Sequence, residues 1–311
     1  MDNLCDTKLT PEQFVIAGIG ESVTDNIGRP RVSYWKDAWY RLKQDKLALV
    51  SLVILSLLVL LCIFGPMISG YSFEEIDPNA IKQGPNQTHW FGTDDLGRDL
   101  FARVWIGGRV SMIIGFVAAF VDSAIGSLYG GIAAYFGGKV DMILMRISEI
   151  ISAVPWLIVV IVLSMVFQEK SLKTLILAMI ATGWSPIARL VRGKMLQIRS
   201  MEFVMAAQGL GVKPLRIILR HMIPNMMSVV IVAITFDIPG YIFGESFLSF
   251  IGLGIQPPNT SWGALAAAGT GNLRFYPYQL FFPALMIALT MLGFALFGDG
   301  LRDALDPRLR K

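Results

Sequence analysis

Six long runs of apolar residues, separated by polar and charged segments, set the pattern of the chain. A helix needs about 20 mainly apolar residues to cross the hydrocarbon core of a bilayer, and each run approaches or exceeds that length. The fourth run has the weakest signal, because its charge-free stretch is short and contains Pro186. We therefore predict an all-α integral membrane protein with six transmembrane helices in a lipid bilayer. The predicted spans are Leu47–Ile68, Val110–Phe136, Ile147–Phe167, Leu172–Leu190, Met226–Leu253 and Leu280–Phe297.

The composition supports a bilayer as the solvent. The 311 residues are 54% hydrophobic and 16% charged, with a mean hydropathy of +0.58, whereas about 25% of residues are charged in a typical soluble domain. If both ends of the chain lie in the cytoplasm, most of the 27 lysine and arginine residues fall on the cytoplasmic side, as the positive-inside rule requires. Cys5 then lies in the cytoplasm and Cys62 inside the first span, so we expect no disulfide.

The spans divide the chain into four parts. Residues 1–46 form a cytoplasmic N-terminal segment with an interfacial helix, and residues 47–109 hold the first span and an extracytoplasmic loop. Residues 110–298 form a core of five helices, and residues 299–311 are a cytoplasmic tail. A basic loop at about 191–225 lies between the fourth and fifth spans, and a connector of that length is usually functional.

This basic loop is predicted to form two short helices. Ser200 suits the N-cap of the first helix, with Glu202 in the first turn where a carboxylate favours the helix dipole. That helix presents a small-residue face at Ala206–Ala207 and stops at Gly209–Gly211. Pro214 suits the first position of the second helix, which should end before Pro224.

Short strings along the chain resemble a known family. The pattern from Met205 through Gly211 to His221 and Pro224 resembles the "EAA" loop of permeases in binding-protein-dependent ABC importers. The family's glutamate is absent at Met205, and Glu202 lies three residues earlier. Further strings resemble the C-type permease subunit of oligopeptide and dipeptide importers: Tyr34–Arg41, Phe91–Asp99, Leu248–Gly254, Gln256–Pro258, Ser261–Gly263 and Gly298–Arg308.

The resemblance implies a permease subunit in a prokaryotic cell membrane. It would form, with a second homologous permease, a path for ATP-driven uptake of oligopeptides or dipeptides delivered by an extracytoplasmic binding protein. Two cytoplasmic ATPase subunits would supply ATP hydrolysis and dock on the coupling loop. The implied coupling residues are Glu202, Ala206, Ala207, Gly211, His221 and Pro224. Nickel or another small solute is the alternative substrate, and an ion-coupled secondary transporter is the alternative class.

The sequence offers no catalytic chemistry of its own. Neither Gly-Lys pair is followed by serine or threonine, so a phosphate-binding P-loop is absent. No nucleophile–base motif is present, and His89 and His221 fall on opposite sides of the membrane, where they cannot share a metal. We expect no enzyme activity, cofactor, metal site or nucleic-acid partner.

Four carboxylates fall inside the predicted spans, where a charge is costly and therefore a functional candidate. Glu149 follows Arg146 by one helical turn, which favours a structural ion pair. Asp237 and Glu245 flank Pro239–Gly240, and the two roles of lining a translocation path and bonding between helices stay open for them. Asp122 is a further path candidate, although its mid-span position favours helix packing.

Overall fold

The computed structural model describes residues 34–167 and 171–306. Over these residues the fold consists of helices joined by turns and loops, and the only β structure is one isolated bridge between Thr93 and Asp99. Most of the predicted N-terminal segment and the end of the tail lie outside the described residues. The helices are α1 (Tyr34–Gln44), α2 (Lys46–Ser69), α3 (Leu100–Phe136), α4 (Gly138–Ala153), α5 (Trp156–Phe167), α6 (Leu172–Arg199), α7 (Glu202–Gly209), α8 (Pro214–Ile217), α9 (Ile223–Phe250), α10 (Trp262–Thr270) and α11 (Tyr278–Leu305).

Five helical stretches are long and apolar enough to cross a membrane, and a bent pair brings the number to as many as six. The bent pair is α4 and α5, which meet at an angle of 79°. The predicted single span Ile147–Phe167 is therefore wrong as a straight helix. Val154 is extended, with φ −77° and ψ 122°, because the ring of Pro155 disfavours a helical conformation at the preceding residue.

Several helices extend beyond their predicted ends. Helix α3 begins at Leu100 instead of Val110, because the side chain of Asp99 accepts a hydrogen bond from the Ala102 amide and caps the helix. Helix α6 continues to Arg199 instead of ending at Leu190. Hydropathy marks only the apolar part of such helices, and their polar ends extend past it.

Small residues allow α3 and α6 to pack closely. A Cβ atom at Gly130 would lie 2.3 Å from the carbonyl oxygen of Ala188, and one at Gly126 would lie 2.7 Å from the side chain of Ile187. These distances leave no room for a side chain, so this small-residue motif packs within the chain. The similar motif at Gly240 and Gly244 differs, because a Cβ atom at Gly240 would meet nothing within 4 Å.

Candidate functional site

Helix α7 carries the first half of the predicted coupling residues. Glu202 lies exposed in its first turn, as predicted. Ser200 is not its N-cap, since Met201 holds that position and no side chain caps the helix. The hydroxyl of Ser200 instead donates to the carbonyl oxygen of Gln197 at 3.0 Å and closes the end of α6. The two helices are thus joined by a tight turn with no flexible linker.

The predicted stop after α7 is confirmed by its geometry. The helix ends at Gly209, and Gly211 has a φ of +74°, a conformation that favours glycine. The amide of Val212 donates to the carbonyl oxygen of Ala207 at 3.1 Å, which closes the turn. Gly211 therefore reverses the chain toward α8.

The two alanines of α7 do not share one exposed face. Ala206 is exposed, whereas Ala207 is only 7% exposed and packs in the core with Val204. The outward surface is apolar, and Leu210 is 83% exposed. Large exposed apolar side chains on a short surface helix are typical of a contact site for another protein. Around this helix they are Met201, Phe203, Met205, Leu210, Leu215 and Leu219.

The second predicted helix begins correctly but does not end before Pro224. Pro214 occupies the first position of α8, which passes through a π-helical turn at Ile218–Met222 directly into α9. Pro224 lies in the first turn of α9, where the wider π turn before it leaves space for a ring without an N–H donor. His221 is half-buried in this turn, and its carbonyl oxygen accepts a hydrogen bond from Asn225. The segment that begins at Pro214 is consequently continuous with the long apolar helix α9.

Asp122 joins three helices near mid-span. Its carboxylate is fully buried and accepts a hydrogen bond from the hydroxyl of Tyr241 on α9. A Cβ atom at Gly183 on α6 would lie 2.1 Å from the same carboxylate, so the helices meet closely there. Asp237 lies one helical turn before Tyr241 and is half-buried. In this conformation Asp122 faces the interior of the chain, and a role for either aspartate in the path stays a prediction.

Glu245 is also fully buried, at a junction between three helices. It accepts hydrogen bonds from Ser111 of α3 at 3.2 Å, Ser249 of α9 at 2.7 Å and Ser261, the N-cap of α10, at 2.6 Å. Such a satisfied polar network fixes helix positions. A role for Glu245 in the path is likewise still a prediction, and the structure gives its carboxylate a bonding role between helices.

The remaining charged candidates form local pairs. Arg146 and Glu149 make the predicted ion pair at 3.0 Å, on an exposed face. His89 is buried and lies 2.9 Å from Asp99. Sequence reasoning missed this second role of Asp99, because nothing in the spacing of the two residues indicates that the loop between them closes. Within the described ranges, no three His, Cys, Asp or Glu side chains are arranged to hold a metal ion.

Comparison of the sequence with known protein families gives two matches. Residues 126–311 match the family described as "Binding-protein-dependent transport system inner membrane component". Residues 33–85 match the "N-terminal TM domain of oligopeptide transport permease C". The two matches together cover most of the chain.

Individual relatives give the same result. The chain is 48% identical over 298 residues to the oligopeptide transport system permease protein OppC of Bacillus subtilis, covering 96% of this chain and 97% of the relative. It is 46% identical to the dipeptide transport system permease protein DppC of the same organism, covering 96% and 94%. It is 42% identical to OppC of Escherichia coli K12, covering 89% and 92%.

A solved structure shares the fold. A chain of the MetNI methionine ABC transporter, determined in inward-facing conformations, matches with a TM-score of 0.51 at 19% identity. The match covers 65% of this chain and 97% of that chain. At this identity the likeness concerns the fold alone.

Proposed function

The chain belongs to the family of binding-protein-dependent transport system inner membrane components, and we propose that it is one of two permease subunits of a peptide-importing ABC transporter. It is a transport component rather than an enzyme. Relatives named for oligopeptide and dipeptide transport, aligned over nearly the whole chain, support peptides as the cargo. A second homologous permease would complete the path, and an extracytoplasmic binding protein would deliver the peptide.

The observation that carries the proposal is the exposed apolar surface of α7. An exposed side chain such as Leu210, at 83%, is costly in water unless a partner covers it. Ala206 beside it lets a partner backbone approach closely, and Glu202 adds a charge at the rim. In our proposal this surface docks on a cytoplasmic ATPase subunit, with both termini of the permease in the cytoplasm.

The connections of α7 suit the transmission of force. A tight turn joins it to α6, and a continuous helical path from Pro214 joins it to α9. When ATP binding closes the ATPase pair, α7 would move with its subunit and both spans would follow. The permease pair would then shift between inward-facing and outward-facing states.

Co-purification tests the docking surface. Ala206→Arg places a large charged side chain on the exposed face of α7 without filling the core, whereas Ala207→Arg would also disturb packing because Ala207 is buried. We expect Ala206→Arg to abolish co-purification of the ATPase subunits from solubilised membranes. Ile76→Arg, at an exposed position in the segment 70–99, serves as the control and should leave co-purification unchanged. Retention of the ATPase by Ala206→Arg would refute α7 as the docking site.

A further inference from the structure

Three serine hydroxyls surround the guanidinium of Arg189 on α6. Its Nη1 atom donates to Ser152 at 2.9 Å, Ser185 at 3.0 Å and Ser148 at 3.4 Å. The hydroxyls also bond to one another, since the Ser148 and Ser185 oxygens lie 2.5 Å apart and those of Ser152 and Ser185 lie 2.7 Å apart. The cluster joins α4 to α6 and fixes the direction of the arginine side chain.

The serines hold Arg189 without neutralising its charge. Over residues 34–167 and 171–306, Arg189 makes no ion pair, and its Nε and Nη2 atoms make no hydrogen bond. Arg192, about one turn further along the same helix, shows the contrast, because its Nε and Nη2 both bond to the carboxylate of Asp141 at 2.5 Å. Arg189 therefore presents two donor groups of the kind that bind a carboxylate in bidentate fashion, on an exposed side chain.

The cluster lies at the predicted cytoplasmic end of two spans. Arg189 is one residue before the end of the predicted span Leu172–Leu190, and Ser148 is one residue after the start of Ile147–Phe167. The break between α4 and α5, at Val154–Pro155, begins two residues after Ser152 and six after Ser148. At 1.5 Å per residue, the break lies about 9 Å further along α4, deeper in the membrane.

This break cannot face lipid. Carbonyl groups at the end of α4 lose their helical partners, and irregular backbone at membrane depth occurs only where protein buries it or water reaches it. The side chains of Val154 and Pro155 are exposed on the described chain, so no described part of the chain covers them. Broken helices of this kind also mark substrate sites in other transporters.

We propose that the face formed by Ser152, the break at Val154–Pro155 and Arg189 lines the translocation path, and that Arg189 binds the C-terminal carboxylate of the peptide in transit. Every linear peptide with a free C terminus carries this group, so recognition would be independent of peptide sequence. The assignment rests on the proposed function as a peptide permease. It adds a subsite that acts on the cargo after the binding protein has released it.

Transport by the complete complex in proteoliposomes tests the carboxylate subsite. We would measure uptake of one peptide with a free C terminus and of the same peptide with an amidated C terminus. The quantity compared is the ratio of the KM value for the amidated peptide to that for the free peptide, determined for the native complex, Arg189→Gln and Arg189→Lys. We expect Arg189→Gln to reduce the preference for the free carboxylate about tenfold, and Arg189→Lys to retain part of it. Lys194→Gln removes an exposed cation of the same helix and should leave the ratio unchanged.

The two possible failures are distinguishable. The binding protein is the same in every sample, so its own preference cancels when variants are compared. If Arg189→Gln still assembles with the ATPase subunits and transports both peptides with the native ratio, the subsite is refuted and the permease function stands. If the native complex transports no peptide, the proposed function itself fails.

Cysteine labelling tests the location of the face separately. In a chain with Cys5 and Cys62 replaced by alanine, Ser152→Cys should react with water-soluble thiol reagents, and bound peptide should slow the reaction. An anionic reagent should react faster than a cationic one, and Arg189→Gln should remove that difference. Absence of reaction with both reagents, in nucleotide-free and ATP-bound complexes, would place the face against lipid or the partner permease and overturn the proposal.

Discussion

The segment 70–99 and the segment 200–213 connect membrane-spanning helices, but they satisfy their polar groups in opposite ways. In the first, the single carboxylate of Asp99 accepts hydrogen bonds from the Ser69 hydroxyl at 3.2 Å and from the Ala102 amide at 2.8 Å. It also lies 2.9 Å from His89. Asp94 adds an ion pair with Arg98 at 2.8 Å. In the second, no side chain of α7 makes a hydrogen bond within the described ranges, and large apolar side chains face outward.

The two segments differ in whether their surface is complete without a partner. The segment 70–99 is fixed by its own buried polar contacts and reaches across to the loop after α10, where Asn272 donates to Asp95 at 2.8 Å. The segment 200–213 has a regular, hydrogen-bonded backbone, but its apolar surface is uncovered. In our proposal, the segment 70–99 is a fixed frame on one side of the membrane, and α7 is an open docking site for the ATPase on the other.

Removing Glu245, which joins α3, α9 and α10 through buried polar contacts of the same kind, should have the largest effect on stability. Glu245→Leu leaves the hydroxyls of Ser111, Ser249 and Ser261 without their shared acceptor, and we expect a loss of about 4 kcal/mol in unfolding free energy. Thermal unfolding in detergent measures it. Glu149→Gln, which breaks only the exposed pair with Arg146, is the control and should change stability by less than about 0.5 kcal/mol. Equal effects of the two substitutions would contradict the distinction.

Gly97→Ala should have the next largest effect. Gly97 has a φ of +76°, and a Cβ atom there would lie 1.9 Å from the carbonyl oxygen of Asp77. Strain and collision together should lower the unfolding free energy by about 3 kcal/mol. At Gly84 in the same segment a Cβ atom would meet nothing within 4 Å, so Gly84→Ala should be nearly neutral. A neutral Gly97→Ala in the same thermal assay would show that the segment is not rigid.

Asp99→Ala should have a smaller effect in the same direction. It removes the N-cap of α3 and leaves buried His89 without its partner, which should lower the unfolding free energy by about 2 kcal/mol. Urea or detergent denaturation followed by tryptophan fluorescence measures the change. Ala102→Gly cannot serve as the control, because Ala102 contributes only its backbone amide to the cap. Asp99→Asn is the matched control and should recover part of the lost stability. Stability of Asp99→Ala equal to that of the native chain would argue against the cap.

Leu210→Ser should have the smallest effect on stability and a distinct effect on assembly. Because Leu210 is 83% exposed, its loss should change the unfolding free energy of the isolated chain by less than about 0.5 kcal/mol. The apparent affinity for the ATPase subunits should nevertheless fall several-fold, as measured by titration in detergent or nanodiscs. A large loss of stability with unchanged affinity would reverse the roles assigned to the two segments.

Much of the helical fold was predictable from the pattern of apolar residues, and the exceptions have physical causes. The end of α7 at Gly209–Gly211 follows from local residue preferences, whereas its start at Glu202 lacks the predicted cap from Ser200. The bend at Pro155 escaped prediction because apolar residues lie on both sides of it, so hydropathy reads one continuous run. The continuity through Pro224 depends on a π-helical turn, which no local signal in the sequence indicates.

The carboxylates show the same limit. Arg146 and Glu149 lie three residues apart, so helical spacing alone predicted their ion pair. The partners of Glu245 lie as far as 134 residues away in the chain, and only the packed helices bring them together. Sequence could therefore identify Glu245 as a candidate without indicating which role it takes.

Hydrogen–deuterium exchange tests most directly whether α7 is a docking surface for the ATPase while the segment 70–99 is complete without a partner. The solubilised chain would be measured alone and with the ATPase subunits. We expect the amides of segment 70–99 to exchange slowly and equally in both samples, and those of Glu202–Gly209 to be slowed only when the ATPase is present. Protection of Glu202–Gly209 in the chain alone, or no change on adding the ATPase, would contradict the account.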